Sequence, residues 1–365
     1  MSERQPDTAA RPGATARHAS PYAVVSARRR MFVRSSTMLG LLAVIALAMT
    51  ACSVPAPGEQ ASAGTRPTTA AQDYNAAQAL TAAGHCDRAI PHYLSALIKD
   101  DIFVNAYLSL GTCYQTLGSF QAALVEYDKA ISVDPTNFGP YIVRAGLEAV
   151  MGNTGAATDD DATALRLAPP QAPSYVAIAA SFASFADFAD AVTTMSKAIA
   201  LVPDDLSLYE QRAGFYLQAK DAARAYQDYE RAINVAASTA ARATVYADLA
   251  NVYDQQGDFQ SAERAIAFAI RLAPYSAHFY VQSGDIHKDA GAAPAALVLY
   301  DQALRRARLG PDAAAAHEAK GDVLASLGHI KQAVAEYRAT LRLLKEPGHR
   351  ATVKDKIKAA RSGQS

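Results

Sequence analysis

The sequence predicts an all-α protein, a solenoid of about eight tandem helix-turn-helix repeats. The first observation is that tyrosine recurs with a period of about 34 residues through six consecutive repeats. The second is that alanine or glycine recurs at fixed distances after these tyrosines, and the third is that glycine and proline separate apolar stretches of helical length. The periodic residues are Tyr107, Tyr141, Tyr175, Tyr209, Tyr246 and Tyr280.

Composition agrees with a folded, helical chain and excludes one class of partner. Half of the 365 residues are apolar, which is enough to bury a sizeable core. Lysine plus arginine equals aspartate plus glutamate at 35 each. We therefore predict no nucleic-acid partner, because proteins that bind nucleic acids usually carry an excess of positive charge.

The first 51 residues are predicted to be an export signal region. Arginines at 28–30 precede an apolar stretch, residues 39–49, that is too short to cross a membrane as a helix. Residues 49–52 read "MTAC" and resemble the bacterial lipobox, which makes Cys52 the predicted lipidation site. Residues 52–69 are rich in Pro, Gly, Ser, Thr and Ala and are predicted to form a flexible tether.

Three alternatives stay open for this region. Residues 49–52 are otherwise an ordinary cleavage site or part of an uncleaved anchor. The stretch "RRMFVR" also resembles a twin-arginine export signal, so the export route is undecided. Translation starts at either Met1 or Met31. Both export routes predict an extracytoplasmic protein, and the resemblance of residues 49–52 to the lipobox implies that it is lipid-anchored at a bacterial cell membrane.

The second repeat identifies the family that the chain resembles. It reads "YLSLGTCYQTLGSFQAALVEYDKAISVDP" and closely resembles the tetratricopeptide repeat, with Tyr107 in place of the usual Trp. The resemblance implies a right-handed superhelix of eight repeats over residues 70–347, closed by a capping helix and tail over residues 348–365. The predicted repeat starts are near residues 70, 104, 138, 172, 206, 243, 277 and 314. Three-residue insertions lengthen the fifth and seventh repeats.

Small residues define the predicted packing between helices. Gly111 lies on the helix face that Tyr107 is expected to bury, although glycine costs a helix about 1 kcal/mol relative to alanine. We expect it to be kept because a neighbouring helix and a bulky aromatic side chain approach it closely. The alanines predicted to act in the same way are Ala123, Ala130, Ala157, Ala191, Ala225, Ala262, Ala296 and Ala333.

No motif in the sequence predicts catalysis, a cofactor or a metal. The chain has no nucleophile elbow, phosphate-binding loop, zinc-protease motif or dinucleotide fingerprint. His85 and His92 flank Cys86, but the repeat register places them at a turn and on a helix surface. The acidic run 159–161 is predicted to be a solvated helix face. Cys86 and Cys113 are predicted to be either disulfide-bonded or two small buried residues.

The resemblance implies that the first helix of each repeat lines a concave groove that binds proteins. An apolar half of this groove is predicted at Leu108, Ile142, Val143 and Val176. An acidic half is predicted at Glu210, Asp248, Asp254, Asp285, Asp289, Glu318 and Asp322. Acids at these positions exclude the carboxylate-holding clamp of cochaperone relatives and favour a basic protein or peptide partner.

The function expected from the resemblance is a non-catalytic scaffold or adaptor that assists an envelope complex from the outer face of a membrane. The alternative is a module that recognises a cell-wall glycan or another small ligand.

Overall fold

The protein is described from a computed structural model, in which residues 68–363 are placed. This part of the chain forms 17 helices. The first eight are α1 (Ala70–Ala82), α2 (Cys86–Lys99), α3 (Val104–Thr116), α4 (Phe120–Val133), α5 (Phe138–Val150), α6 (Thr154–Leu167), α7 (Ala172–Ser184) and α8 (Phe188–Leu201). The next eight are α9 (Leu206–Gln218), α10 (Ala222–Val235), α11 (Thr239–Gln256), α12 (Phe259–Leu272), α13 (Ala277–Asp289), α14 (Ala293–Arg306), α15 (Pro311–Ser326) and α16 (Ile330–Leu343). The last is α17 (Pro347–Ser362).

The helices pack in eight consecutive antiparallel pairs, which confirms the predicted fold class. Each odd-numbered helix from α1 to α15 packs most extensively against the even-numbered helix that follows it, and α17 caps α16. The insertions at the ends of the fifth and seventh repeats are helical and do not form loops. Each adds about one turn to the N-terminus of the helix that follows it, α11 or α15. Consequently α11 is 18 residues long and α15 is 16, whereas the other odd-numbered helices of the eight pairs have 13.

Contacts between repeats show which helices form the inner layer. Most successive odd-numbered helices touch one another, whereas successive even-numbered helices do not approach to a comparable extent. In a curved solenoid the inner layer has the shorter arc, so the odd-numbered helices line the concave face. The inner layer is looser at α9, which makes no comparable contact with either α7 or α11.

Small residues allow the two helices of a pair to approach. A Cβ atom added to Gly111 would overlap the ring of Tyr127, and the same relation joins Gly284 to Tyr300. The tyrosine ring therefore occupies the space that a side chain on the glycine would need. The eight alanines at the predicted packing positions have no exposed surface.

The turn within each pair requires a left-handed residue. Glycine supplies it in six repeats, at Gly84, Gly118, Gly152, Gly257, Gly291 and Gly328. In the fourth and fifth repeats the same turn places Ala186 at φ 68° and Lys220 at φ 62°. The sequence pattern did not predict this, because it used glycine as the turn signal. A Cβ atom in this conformation costs roughly 1–2 kcal/mol.

The acidic run in α6 is not a solvated face, so that prediction was wrong. Asp159 is exposed, but Asp160 is buried against Arg144, whose guanidinium donates to it over 2.8 Å from Nε and 2.6 Å from Nη2. Asp161 has no exposed surface, and neither of its carboxyl oxygens has a hydrogen-bond partner. Successive helix positions point in different directions, so one run of three acids reaches solvent, an ion pair and the core.

The predicted signal, lipobox and most of the tether lie outside the described residues. Within residues 68–363 there is no helix whose length and apolar character suit a membrane crossing.

Candidate partner-binding groove

The predicted apolar half of the groove is buried, which corrects the expectation of a ligand surface there. Leu108, Ile142, Val143 and Val176 are only 1–9% exposed and belong to hydrophobic clusters between the helices. They lie on inner helices, as predicted, but neighbouring helices cover them. Their contribution is therefore to stability, through apolar area removed from water.

Asp285 is neutralised inside the seventh repeat. Lys288 donates to its Oδ1 at 2.7 Å from one helical turn away, and the hydroxyl of Tyr300 donates to the same oxygen at 2.9 Å. Asp254 is half-buried near the end of α11, and Asp289 is exposed at the end of α13.

The acids of the eighth repeat are neutralised by the capping helix. Lys356 of α17 donates to Glu318 at 2.8 Å and to both oxygens of Asp322 at 2.8–2.9 Å. His349 adds a contact of 2.7 Å to Glu318. Burial alone would raise the pKa of Glu318, but Lys356 and His349 outweigh it and lower that pKa. This end of the predicted acidic surface is therefore already occupied by the chain itself.

Glu210 and Asp248 have no such partner. Glu210 lies on α9, Asp248 lies on α11, and both are half-buried. No lysine or arginine among residues 68–363 forms an ion pair or a hydrogen bond with either carboxylate. Burial raises the pKa of Glu210, and the negative charge of Asp248 raises it further. Burial also raises the pKa of Asp248, against a smaller opposing effect of His278.

Tyr229, which sequence reasoning missed, adds a hydroxyl to these two acids. Its side chain is 8% exposed, and its hydroxyl makes no hydrogen bond within residues 68–363. Burial raises the pKa of Tyr229 to about 12, and the charges of Asp248 and Glu210 contribute to that increase. The phenol therefore lies within electrostatic range of both acids.

A gap in the sequence pattern explains why this hydroxyl has no acceptor. The tyrosines at the equivalent place in the last two repeats donate to the aspartate that follows the small inner residue, as Tyr300 does to Asp285 and Tyr337 does to Asp322 at 2.8 Å. In the fifth repeat that place holds Gly214, which has no side chain. The sequence shows that Tyr229 is equivalent to Tyr300 and Tyr337. That its hydroxyl lacks an acceptor became clear only from the hydrogen bonds that those two tyrosines make.

The structure decides between the two alternatives that the sequence left open for the cysteines. Cys86 and Cys113 are both buried and carry free thiols. Burial raises the pKa of Cys113 to about 12, which disfavours the nucleophilic thiolate. Among the described residues, no group of three or more His, Cys, Asp and Glu side chains is arranged to hold a metal ion.

The family model that matches the chain is that of the tetratricopeptide repeat, over residues 74–138, 247–306 and 281–345. These stretches of the chain carry tetratricopeptide repeats, and the helix pairs between them have the packing typical of that superhelix. Proteins with such repeats are usually non-catalytic scaffolds that bind protein or peptide partners. No curated protein matched the chain significantly.

Three solved structures illustrate the similarity. A tetratricopeptide repeat protein from Parabacteroides merdae shares 15% identity over 80% of this chain and 98% of its own, with a TM-score of 0.44. Yeast Tom70 shares 15% identity over 92% of this chain and 74% of its own, with a TM-score of 0.48. MamA from Desulfovibrio magneticus RS-1 shares 16% identity over 46% of this chain and 94% of its own, with a TM-score of 0.37.

Proposed function

We propose that this protein is a non-catalytic adaptor that holds a basic protein partner in its inner groove, on the outer face of a bacterial membrane. The observation that carries the proposal is the pair of acids, Glu210 and Asp248, with no cationic partner within the described part of the chain. Asp285, Glu318 and Asp322, which lie further toward the C-terminus, are each paired with a lysine of the chain itself.

The physical argument concerns the cost of leaving these two acids as they are. Both carboxylates are partly desolvated, and the charge of Asp248 acts on Glu210, so the charged forms of the two acids are disfavoured in the free protein. The attraction of a cationic group from a partner would offset this cost when the partner binds. α9 also packs less closely against α7 and α11 than the other inner helices pack against their neighbours.

The membrane tether is supported by the sequence. The basic run, the short apolar stretch and "MTAC" stand in the order of a bacterial lipoprotein signal, and residues 52–69 give a spacer of suitable composition. A fatty-acid alkyne fed to cells should label the wild-type protein and not Cys52→Ser. Labelling of both would contradict lipidation at this cysteine.

Site-specific photocrosslinking in cells tests the adaptor function independently of charge. A photoreactive amino acid would replace Gln211, exposed on inner helix α9, and in a control variant Glu230, exposed on outer helix α10. We expect mass spectrometry to identify an envelope protein joined to position 211 and absent at position 230. Identical crosslinked proteins at the two positions, or none at position 211, would refute the proposal.

A further inference from the structure

In the last repeat, acidic side chains and a tyrosine surround the amine of a lysine. The equivalent side chains of the fifth repeat have no such amine. In the last repeat, Lys356 reaches Glu318 and Asp322 from the next helix, and its amine lies 5.9 Å from the centre of the Tyr337 ring. The amine thus lies among two carboxylates and a phenol. This lysine shows that carboxylates and a phenol at these positions can hold a primary ammonium group.

The fifth repeat has four positions equivalent to these, and at one of them an aspartate replaces the lysine. Each equivalent pair is separated by the same number of residues in the sequence. The pairs are Glu210 with Glu318, Gly214 with Asp322, Tyr229 with Tyr337, and Asp248 with Lys356. The amine that neutralises the last repeat is therefore replaced by a second carboxylate, and the aspartate that accepts the tyrosine hydrogen bond is replaced by glycine.

Two consequences follow for the fifth repeat. The group in the fifth repeat carries two negative charges and no positive charge, whereas the group in the last repeat carries two negative charges and one positive charge. Tyr229 as a residue is more than nine-tenths buried, and its hydroxyl lacks the acceptor that Tyr337 finds in Asp322. The nearest positive influence on Asp248 is His278, whose ring nitrogen is within ion-pair distance of Asp312, at 3.7 Å, and not of Asp248.

We infer that Glu210, Asp248 and the hydroxyl of Tyr229 form a recognition site for one cationic side chain, lysine or arginine, of a partner polypeptide. The inference rests on the proposed adaptor function and names the chemistry that the groove recognises. Two carboxylates and a phenol oxygen offer acceptors to the N–H groups of an ammonium or guanidinium ion, and charge-assisted hydrogen bonds of this kind are stronger than neutral ones. The absence of a side chain at Gly214 leaves room for the cation beside the phenol.

The experiment begins with a selection that assumes no partner. A phage library of random 12-residue peptides would be panned on the full-length protein, and the best peptide synthesised with a fluorescent label. We expect the selected peptides to share a lysine or arginine. Enriched peptides that share no cationic position would overturn the inference and leave the adaptor function standing. A failure of any peptide to bind would count against both.

A double-mutant cycle then connects the cation to the site. In the peptide, norleucine would replace the shared lysine, or citrulline the shared arginine, so that the charge is lost and most of the stem is kept. In the protein, Glu210→Gln and Asp248→Asn would be combined. We expect each change alone to weaken binding at least about 10-fold, since a desolvated charge is left unpaired. With both changes present, the peptide substitution should cost less than about 3-fold, because the interaction is already absent.

Matched controls separate this site from general electrostatics. Asp159→Asn with Glu230→Gln removes two exposed charges from outer helices and should leave affinity unchanged. Tyr229→Phe should weaken binding about 3-fold or more without lowering the melting temperature, because the hydroxyl has no partner in the free protein. Equal losses in the control and site variants, or additive effects in the cycle, would refute the inference. Loss of the thermal transition in Glu210→Gln/Asp248→Asn would also contradict it, since removing repulsion should not destabilise the fold.

Discussion

Replacing Asp161 should change how the stability of the array depends on pH. This carboxyl is fully buried and both of its oxygens lack hydrogen bonds. Burial raises its pKa to about 8 from an ordinary 3.8, the charges of Asp160 and Asp187 add to the increase, and the nearby hydroxyl of Ser181 opposes it only in part. The equivalent place in other repeats holds Tyr127 and Met195, so an acid here replaces an apolar core residue.

The sign of the effect follows from the raised pKa. The folded state holds the proton more tightly than the unfolded state, so the contribution of this group is most favourable below pH 3.8. That contribution is lost as pH rises from 3.8 through about 8, where the buried carboxyl ionises. One pKa unit corresponds to about 1.4 kcal/mol, so we expect Asp161 to remove about 2–4 kcal/mol of stability between pH 5 and pH 8.

The measurement compares Asp161→Asn with the wild type in guanidinium unfolding followed by circular dichroism from pH 5 to pH 8.5. The amide does not titrate, so the variant should lose this part of the decline and be relatively more stable at pH 8. Hydrogen exchange in α6 and α7 should show the same difference locally, because repeat proteins do not always unfold as one unit. Asp159→Asn, the exposed neighbour, should keep the wild-type slope. Identical slopes in wild type and Asp161→Asn would refute the reasoning.

Three further predictions concern packing and turns, and each is checked by the melting temperature. Gly111→Ala should destabilise by roughly 1–3 kcal/mol because its Cβ overlaps the Tyr127 ring, whereas Gly146→Ala, with open space around it, should be neutral or stabilise by up to about 1 kcal/mol; equal effects would contradict the packing argument. Lys220→Gly should stabilise by about 1 kcal/mol because its φ is positive, and a lower melting temperature would contradict this. Ala123→Leu should cost roughly 1–3 kcal/mol because the site is fully buried, and an unchanged melt would count against the repeat register.

Much of the fold follows from the sequence because the repeat signal is local and redundant. A period of about 34 residues, repeated eight times, fixes the order of helices even where single signals fail. The turns at Ala186 and Lys220 show this, since both adopt the left-handed conformation without glycine. Neighbouring repeats with the same geometry impose the turn there. The insertion before α11 shows the limit, because spacing revealed extra residues but not that they extend the helix.

The exposure of the groove residues was less predictable than the fold. The repeat register tells which face of its helix a residue lies on, but neighbouring helices determine whether that residue is exposed. Ile142 and Asp248 both occupy groove positions by register, yet the first is buried and the second is half-exposed. Sequence alone could not predict that α17 would place Lys356 on the acids of the last repeat, because that contact joins residues more than 30 positions apart. The buried Asp161 was missed for the same reason, since its environment is made by helices other than its own.

The sequence by itself determined the repeat family, the number of repeats and the small residues that let helices approach, because these depend on spacing along the chain. Only the tertiary structure decided which acids are neutralised and which are not. Charge pairing depends on distances between side chains of different helices, and a net charge of zero for the whole chain says nothing about where opposite charges meet. The packing of the helices leaves Glu210 and Asp248 without a lysine or arginine partner in the described part of the chain, while it gives Glu318 a lysine.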